Sequence, residues 1–152
     1  MVLVGIGEMH VAEEGDRALV ARSLGAAGAL SLFDPYTGIG GMLHWLLPDA
    51  SLDPDRAERS PSYFASTGIP RLVEAMEDRG VRLEDIRAAL AGAATLPEGG
   101  MFDVGSRNSR IALQLLEKSG IRLDTKDVGG TAVRDLRLEM EQGEFIIRSL
   151  DV

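Results

Sequence analysis

Residues 21–48 read ARSLGAAGALSLFDPYTGIGGMLHWLLP, and this stretch decides the fold. Two apolar runs, at 28–33 and 39–47, flank the sequence DPYTG, in which Asp-Pro and Thr-Gly are turn signals. Periodicity alone allows the first run and the residues before it to form one buried helix or two buried strands. Gly25 and Gly28 weaken a helix and favour strands. The sequence therefore predicts a hairpin across the DPYTG turn.

Two amphipathic helices and further strands are predicted outside this hairpin. Apolar residues at helical spacing predict one helix that carries Ile69 and Met76 and stops at Gly80. A second helix carries Ile111, Leu115 and Leu116, with Ser106 or Asn108 as its cap and Gly120 at its end. Strands are also predicted at 2–6, 121–123, 136–140 and 145–147, with a hairpin turn at 141–144. Residues 86–94 form a buried strand or a short helix that opens into a glycine-rich loop. Residues 49–62 are predicted to be a surface loop.

Strands outnumber helices in this pattern, which indicates an α/β sandwich rather than a strict βαβ repeat. The chain has 152 residues, of which 45% are apolar and 26% charged, as in an ordinary globular domain. No linker or internal repeat divides it, so a single domain over residues 1–152 is expected.

Charge and composition exclude several classes of function. The net charge of -8 gives no electrostatic footprint for nucleic acid. The chain has no cysteine, which excludes disulfides and thiolate chemistry, and only two histidines, which excludes a histidine-rich metal site. No signal peptide and no membrane-spanning stretch is visible, so the expected location is cytoplasmic. His10 lies near Glu8, Glu13 and Glu14, which we interpret as an incidental surface cluster.

The stretch at 21–48 resembles the signature of the CheD family, chemoreceptor glutamine deamidases of bacteria. That signature reads Thr-x-x-Leu-Gly-Ser-Cys, an apolar strand, Asp-Pro, a turn and Gly-Gly-Met-x-His-x-x-Leu-Pro, and the spacing here matches throughout. Three later blocks, AGAATL (91–96), VGSRN (104–108) and DVGGTAVR (127–134), also resemble the family. The resemblance implies an α/β (α+β) sandwich of mixed sheets with helices packed outside. It also implies hydrolysis of receptor glutamine amides without a metal or organic cofactor.

The resemblance implies site residues as well, and most of them are lost in this chain. In the family a cysteine attacks the amide, a histidine moves protons and a threonine orients the histidine. The histidine is His44, whereas the cysteine position holds Ala27, the threonine position Ala21 and the serine position before the cysteine Ala26. Gly28 stands where the family has a β-branched residue. A methyl group cannot attack an amide, so the pattern predicts a naturally degenerate, catalytically inactive homologue.

Four further positions are candidate binding residues. Trp45, next to His44, is either a partner anchor or part of the strand core. Thr67 lies in YFASTGIP, which resembles a family segment in which Asp stands at the position of Ser66. Arg107 and Asn108 belong to the VGSRN block and either contact a pocket or act structurally.

Two functions from different classes follow from these residues. The leading hypothesis is a cytoplasmic chemotaxis protein that binds receptor helices or a CheC-like phosphatase, the partners that the resemblance implies, by the cleft around Ala27 and His44. The alternative is a deamidase with residual or altered activity, in which His44 activates water. A purely structural subunit is a third possibility.

Overall fold

The computed structural model describes residues 1–95 and 103–150, which fold into two β-sheets and a layer of helices. The predicted glycine-rich loop after residue 94 lies mostly outside the described residues. The three α-helices among the described residues are α1 (Pro54–Arg59), α2 (Ala65–Glu77) and α3 (Val104–Ser119). The strands are β1 (Val2–Leu3), β2 (Glu8–Val11), β3 (Ala18–Leu24), β4 (Gly28–Asp34), β5 (Ile39–Trp45), β6 (Arg87–Gly92), β7 (Arg122–Val128), β8 (Val133–Glu139) and β9 (Glu144–Leu150).

The hairpin predicted from DPYTG is confirmed. β4 and β5 pair antiparallel along their whole length, from Asp34 opposite Ile39 to Gly28 opposite Trp45. Asp34 closes the turn, because its carboxylate accepts hydrogen bonds from the Tyr36 amide, at 2.9 Å, and the Thr37 hydroxyl, at 2.6 Å. The predicted second hairpin is also present, as β8 and β9.

The strands form two sheets that pack face to face. The first sheet has the order β1-β3-β8-β9 and the second the order β2-β5-β4-β6-β7. One apolar cluster fills the space between them, and a second joins the other face of the five-stranded sheet to α2 and α3. The predicted sandwich with outer helices is therefore confirmed, with both long helices on one side. None of the described helices is both long and apolar enough to cross a membrane.

Three local predictions are wrong. The segment at 49–62 is not a plain loop, because it contains α1, whose start is capped by the Asp53 carboxylate, 3.1 Å from the Arg56 amide. Because this helix buries no residue, its sequence shows no apolar periodicity from which a helix could be predicted. Neither Ser106 nor Asn108 caps α3; the Asp103 carboxylate accepts from the Ser106 amide at 3.0 Å. The first strand is shorter than predicted, ending at Leu3.

Trp45 gives a packing reason for the glycine at position 28. Its side chain is fully buried, on the face of the sheet that meets the helices. A Cβ atom at Gly28 would lie 2.3 Å from Cζ2 of the Trp45 indole, far inside van der Waals contact. The Trp45 side chain on β5 therefore leaves no room for a side chain at position 28 on β4.

Restoring a branched residue at this position is expected to destabilise the fold. Gly28→Val forces the Trp45 ring out of its place, and overpacking of this kind costs about 1–3 kcal/mol. The double variant Gly28→Val/Trp45→Leu should recover part of that loss. Urea unfolding followed by circular dichroism measures both.

Gly25→Ala is the matched control, since a Cβ there meets no atom within 4 Å. Equal stability of Gly28→Val and Gly25→Ala would contradict the packing argument.

Candidate functional site

His44 lies near the end of β5 and faces the space between the two sheets. It stands opposite Ala29 of β4 and Glu8 of β2, and residues opposite each other in antiparallel strands share a face. Ala29 belongs to the apolar cluster between the sheets. Only 4% of His44 is exposed to solvent, so its imidazole is buried in an apolar setting.

The two ring nitrogens of His44 have different surroundings. Nδ1 lies 3.0 Å from the carbonyl oxygen of Val4. A carbonyl oxygen only accepts hydrogen bonds, so Nδ1 carries the proton and donates it. Nε2 is buried and has no hydrogen-bond partner among the described residues. The imidazole thus presents an unshared lone pair on Nε2.

The charge state of His44 follows from its burial. Loss of hydration lowers the pKa of the imidazole below its usual 6.5, and this effect outweighs the hydrogen bond to Val4 and the negative charge of Glu8, which both raise the pKa. At neutral pH the ring is therefore uncharged. A neutral imidazole with a free Nε2 can accept a proton or a hydrogen bond.

Ala27 lies at the start of the β4–β5 pair, two residues before Ala29, which stands opposite His44. It directly precedes β4, and its carbonyl accepts a hydrogen bond from the Ala93 amide at 2.8 Å, which continues the β4–β6 ladder by one step. Side chains alternate along a strand, so Ala27 points to the same face as Ala29, diagonally across from His44. Diagonal neighbours in a sheet lie about 7–8 Å apart. A longer side chain at position 27 would therefore extend into the surroundings of the imidazole.

Ala21 approaches the same space from the other sheet. It is fully buried on β3, in the cluster that also holds Val4 and Ala29. Ala21 thus shares a cluster with Ala29, the residue that stands opposite His44. Ala21 and Ala27 carry only a methyl group, so neither can act as a nucleophile or hold the imidazole by a hydrogen bond. His44 is held by the Val4 backbone instead.

Asn108 holds the segment around Ala27 in place. Its side chain is fully buried, and Nδ2 donates to the carbonyl oxygens of Ala26, at 2.9 Å, and Leu46, at 2.8 Å. One amide thereby joins the residue before Ala27 to the residue after the end of β5. Asn108 is a positioning residue for this site and not a helix cap.

Three other candidates lie outside the site. Trp45 is fully buried in the cluster that joins the sheet to the helices, which favours its interpretation as part of the strand core. The Thr67 hydroxyl donates to the Pro61 carbonyl at 2.5 Å, and the Ser66 hydroxyl accepts from the Ala50 amide, so both fasten the segment before α2. Arg107 lines a different cavity of about 210 Å³, between α3 and residues 48–52.

Arg134 is connected to Ala27 through the backbone of residues 92 and 93, a connection that the sequence did not predict. Its buried guanidinium forms an ion pair with Asp127, at 3.1 Å, and donates to the Gly92 carbonyl at 3.2 Å. Gly92 precedes Ala93, a non-glycine residue with a positive φ of 52°, whose amide holds Ala27. Both ionic partners belong to the DVGGTAVR block, so a search for opposite charges within that block would have found the pair.

Comparisons with known proteins show what this chain is similar to. The family model described as CheD chemotactic sensory transduction matches residues 46–149, a segment that begins after His44. A probable chemoreceptor glutamine deamidase CheD of Solibacter usitatus is 40% identical over 145 residues, which cover 95% of this chain and 86% of that protein. A protein of the same description from Anaeromyxobacter dehalogenans is 37% identical over 152 residues, 99% of this chain and 96% of its own. The chemoreceptor glutamine deamidase CheD of Thermotoga maritima is 30% identical over 148 residues, 97% and 91% of the two chains.

Burial of a neutral His44 predicts that stability depends on pH. Its pKa in the folded chain lies below 6.5, so the unfolded chain takes up a proton first as the pH falls. The free energy of unfolding should be highest above that value and decrease as the pH is lowered through it, by at most about 1.4 kcal/mol per pH unit. Urea unfolding at a series of pH values measures the slope.

His44→Gln should remove this pH dependence of the unfolding free energy, whereas Asp16→Asn should leave it unchanged. The hydrogen bond from His10 lowers the pKa of Asp16 below 3.8, so the stability from that carboxylate is present above 3.8 and is lost only at lower pH. If the unfolding free energy of His44→Gln still decreases between pH 7 and 5, the pH dependence belongs to another group.

Loss of the Asn108 amide is expected to destabilise the fold. Asn108→Ala leaves the buried carbonyl groups of Ala26 and Leu46 without this donor, at a cost of about 2–4 kcal/mol. Gln114→Ala, on the exposed face of the same helix, should change stability by less than about 0.5 kcal/mol. Equal unfolding free energies for the two variants would exclude the positioning role of Asn108.

Proposed function

Since the chain belongs to the CheD family, we propose that it is a chemotaxis protein that acts by binding and not by catalysis. The single observation that supports this proposal is that position 27, directly before β4, carries a methyl group, while His44 on the neighbouring strand is a buried, neutral imidazole. Hydrolysis of an unactivated amide by this route needs a nucleophile next to the base. Removal of a nucleophile from a comparable triad lowers the rate by about a million-fold.

The binding partner in this proposal is a chemoreceptor or a CheC-like phosphatase. The relatives are named chemoreceptor glutamine deamidases, and they match the chain over nearly all of its length. A protein with the fold of a receptor-modifying family can occupy the same receptor helices. Occupancy alone shifts the population of receptor states if the protein binds one state more tightly.

A second candidate function is slow deamidation by His44. The free Nε2 lone pair of the buried, neutral ring favours this candidate, because it is suited to take a proton from water. In that case Ala27 leaves room for the water in place of a sulfur atom. The two candidates differ in whether the purified chain releases ammonia from a receptor.

Restoration of the missing side chains separates the two candidates. We expect the wild-type chain to release ammonia from purified receptor cytoplasmic fragments no faster than a control without the protein. The variant Ala27→Cys/Ala21→Thr should show receptor glutamine-to-glutamate conversion, on the order of a thousandfold faster than wild type. Mass spectrometry of receptor peptides and an ammonia assay measure the reaction.

Two control variants test whether the restored activity belongs to this site. Ser119→Cys places a thiol at the exposed end of α3, and it should stay inactive. His44→Ala, added to the restored variant, should abolish the gain. Wild-type turnover comparable to that of the restored variant would exclude the non-catalytic proposal.

Binding is measured separately, by calorimetry of the wild-type chain with receptor fragments and with a CheC-like protein from the same organism. Lack of binding to both would exclude the proposed partners.

A further inference from the structure

The peptide group between Val4 and Gly5 is held by hydrogen bonds at both ends. Its carbonyl oxygen, on Val4, accepts from Nδ1 of His44 at 3.0 Å. Its amide, on Gly5, donates to the Oε1 atom of Glu8 at 2.7 Å. A carboxylate, one peptide group and an imidazole are therefore connected in series.

The short turn at residues 5–8 fixes this arrangement. The Glu8 amide donates back to the Gly5 carbonyl at 3.0 Å, so residues 5 and 8 are joined by two reciprocal bonds. The Gly7 amide donates to the carbonyl of His44 at 2.7 Å, which ties the turn to β5. At the other end, the Val4 amide donates to Val20 of β3 at 2.8 Å. The peptide group that contacts the imidazole thus has little freedom to rotate.

Gly5 leaves room for the carboxylate. A Cβ atom at this position would lie 2.5 Å from Oε1 of Glu8. A side chain there would displace the carboxylate from the amide.

Hydrogen bonds in series strengthen one another. A carboxylate that accepts from an amide N–H increases the electron density on the carbonyl oxygen of the same peptide group. That oxygen becomes a better acceptor for the Nδ1 proton of His44. A direct carboxylate–histidine pair produces the same effect on the ring, by fixing its tautomer and raising the basicity of the other nitrogen.

We infer that Glu8 is a positioning residue for His44, which acts through the Val4–Gly5 peptide group to hold the proton on Nδ1 and keep Nε2 as an acceptor. The negative charge of Glu8 also raises the pKa of His44, in agreement with this arrangement. His44 has two neighbours on the adjacent strands, Glu8 and Ala29, and of these two only Glu8 carries a charge. This inference concerns the free protein and stands whether or not a partner binds.

The test is nitrogen-15 NMR of the two histidines in the full chain without any partner. In wild type we expect the Nδ1–H tautomer for His44, with a slowly exchanging Nδ1 proton. Glu8→Ala should increase the exchange rate of that proton about tenfold, the equivalent of one lost hydrogen bond. His10, which contacts Asp16 and not Glu8, is the internal reference in each spectrum.

Glu8→Gln separates geometry from charge. The glutamine side-chain oxygen can still accept from the Gly5 amide, so the Nδ1 proton should remain protected. Loss of the charge removes an interaction that raises the pKa of His44, so that pKa should fall further. Glu14→Ala and Glu14→Gln, which remove an exposed acid outside this turn, are the matched controls and should change neither quantity.

Two results would overturn the inference. One is a wild-type spectrum with the His44 proton on Nε2. The other is equal proton exchange in Glu8→Ala and Glu14→Ala. Because no receptor is present in this experiment, its failure leaves the proposed binding function untouched.

Discussion

The hydrogen bond between the His44 ring and the Val4 carbonyl connects the two sheets at the candidate site. Val4 follows β1, and its amide bonds to β3 of the four-stranded sheet while its carbonyl bonds to β5 of the five-stranded sheet. The same backbone residue therefore sets the separation of the sheets and the orientation of the imidazole. Its hydrogen bond does not involve residues 21 and 27, so the position of the histidine does not depend on their side chains.

Local sequence signals were sufficient for most of the fold. The Asp-Pro and Thr-Gly turn and the glycines that weaken a helix identified the β4–β5 hairpin, and apolar spacing identified α2 and α3. These signals are short-range, and they coincide with burial. α1 was missed because it packs no side chain into the core, so its only sign in the sequence is the capping residue Asp53.

The candidate site was predictable only through the family resemblance. That resemblance singled out Ala21 on β3, Ala27 directly before β4 and His44 on β5. The residues that hold them were not identified, because each acts through a contact distant in sequence: Asn108 reaches Ala26, and Val4 reaches His44. Glu8 was interpreted as part of a surface cluster with His10. The two side chains share a face of β2 but have different partners, since Glu8 accepts from the Gly5 amide whereas His10 contacts Asp16.

The contact between Trp45 and Gly28 restricts the order in which this sequence can change. A side chain fits at position 28 only when the side chain at position 45 is smaller, since a Cβ atom at Gly28 would lie 2.3 Å from the Trp45 indole. The two positions, on the neighbouring strands β4 and β5, therefore form one packing unit in which the side chain of one sets the volume left for the other.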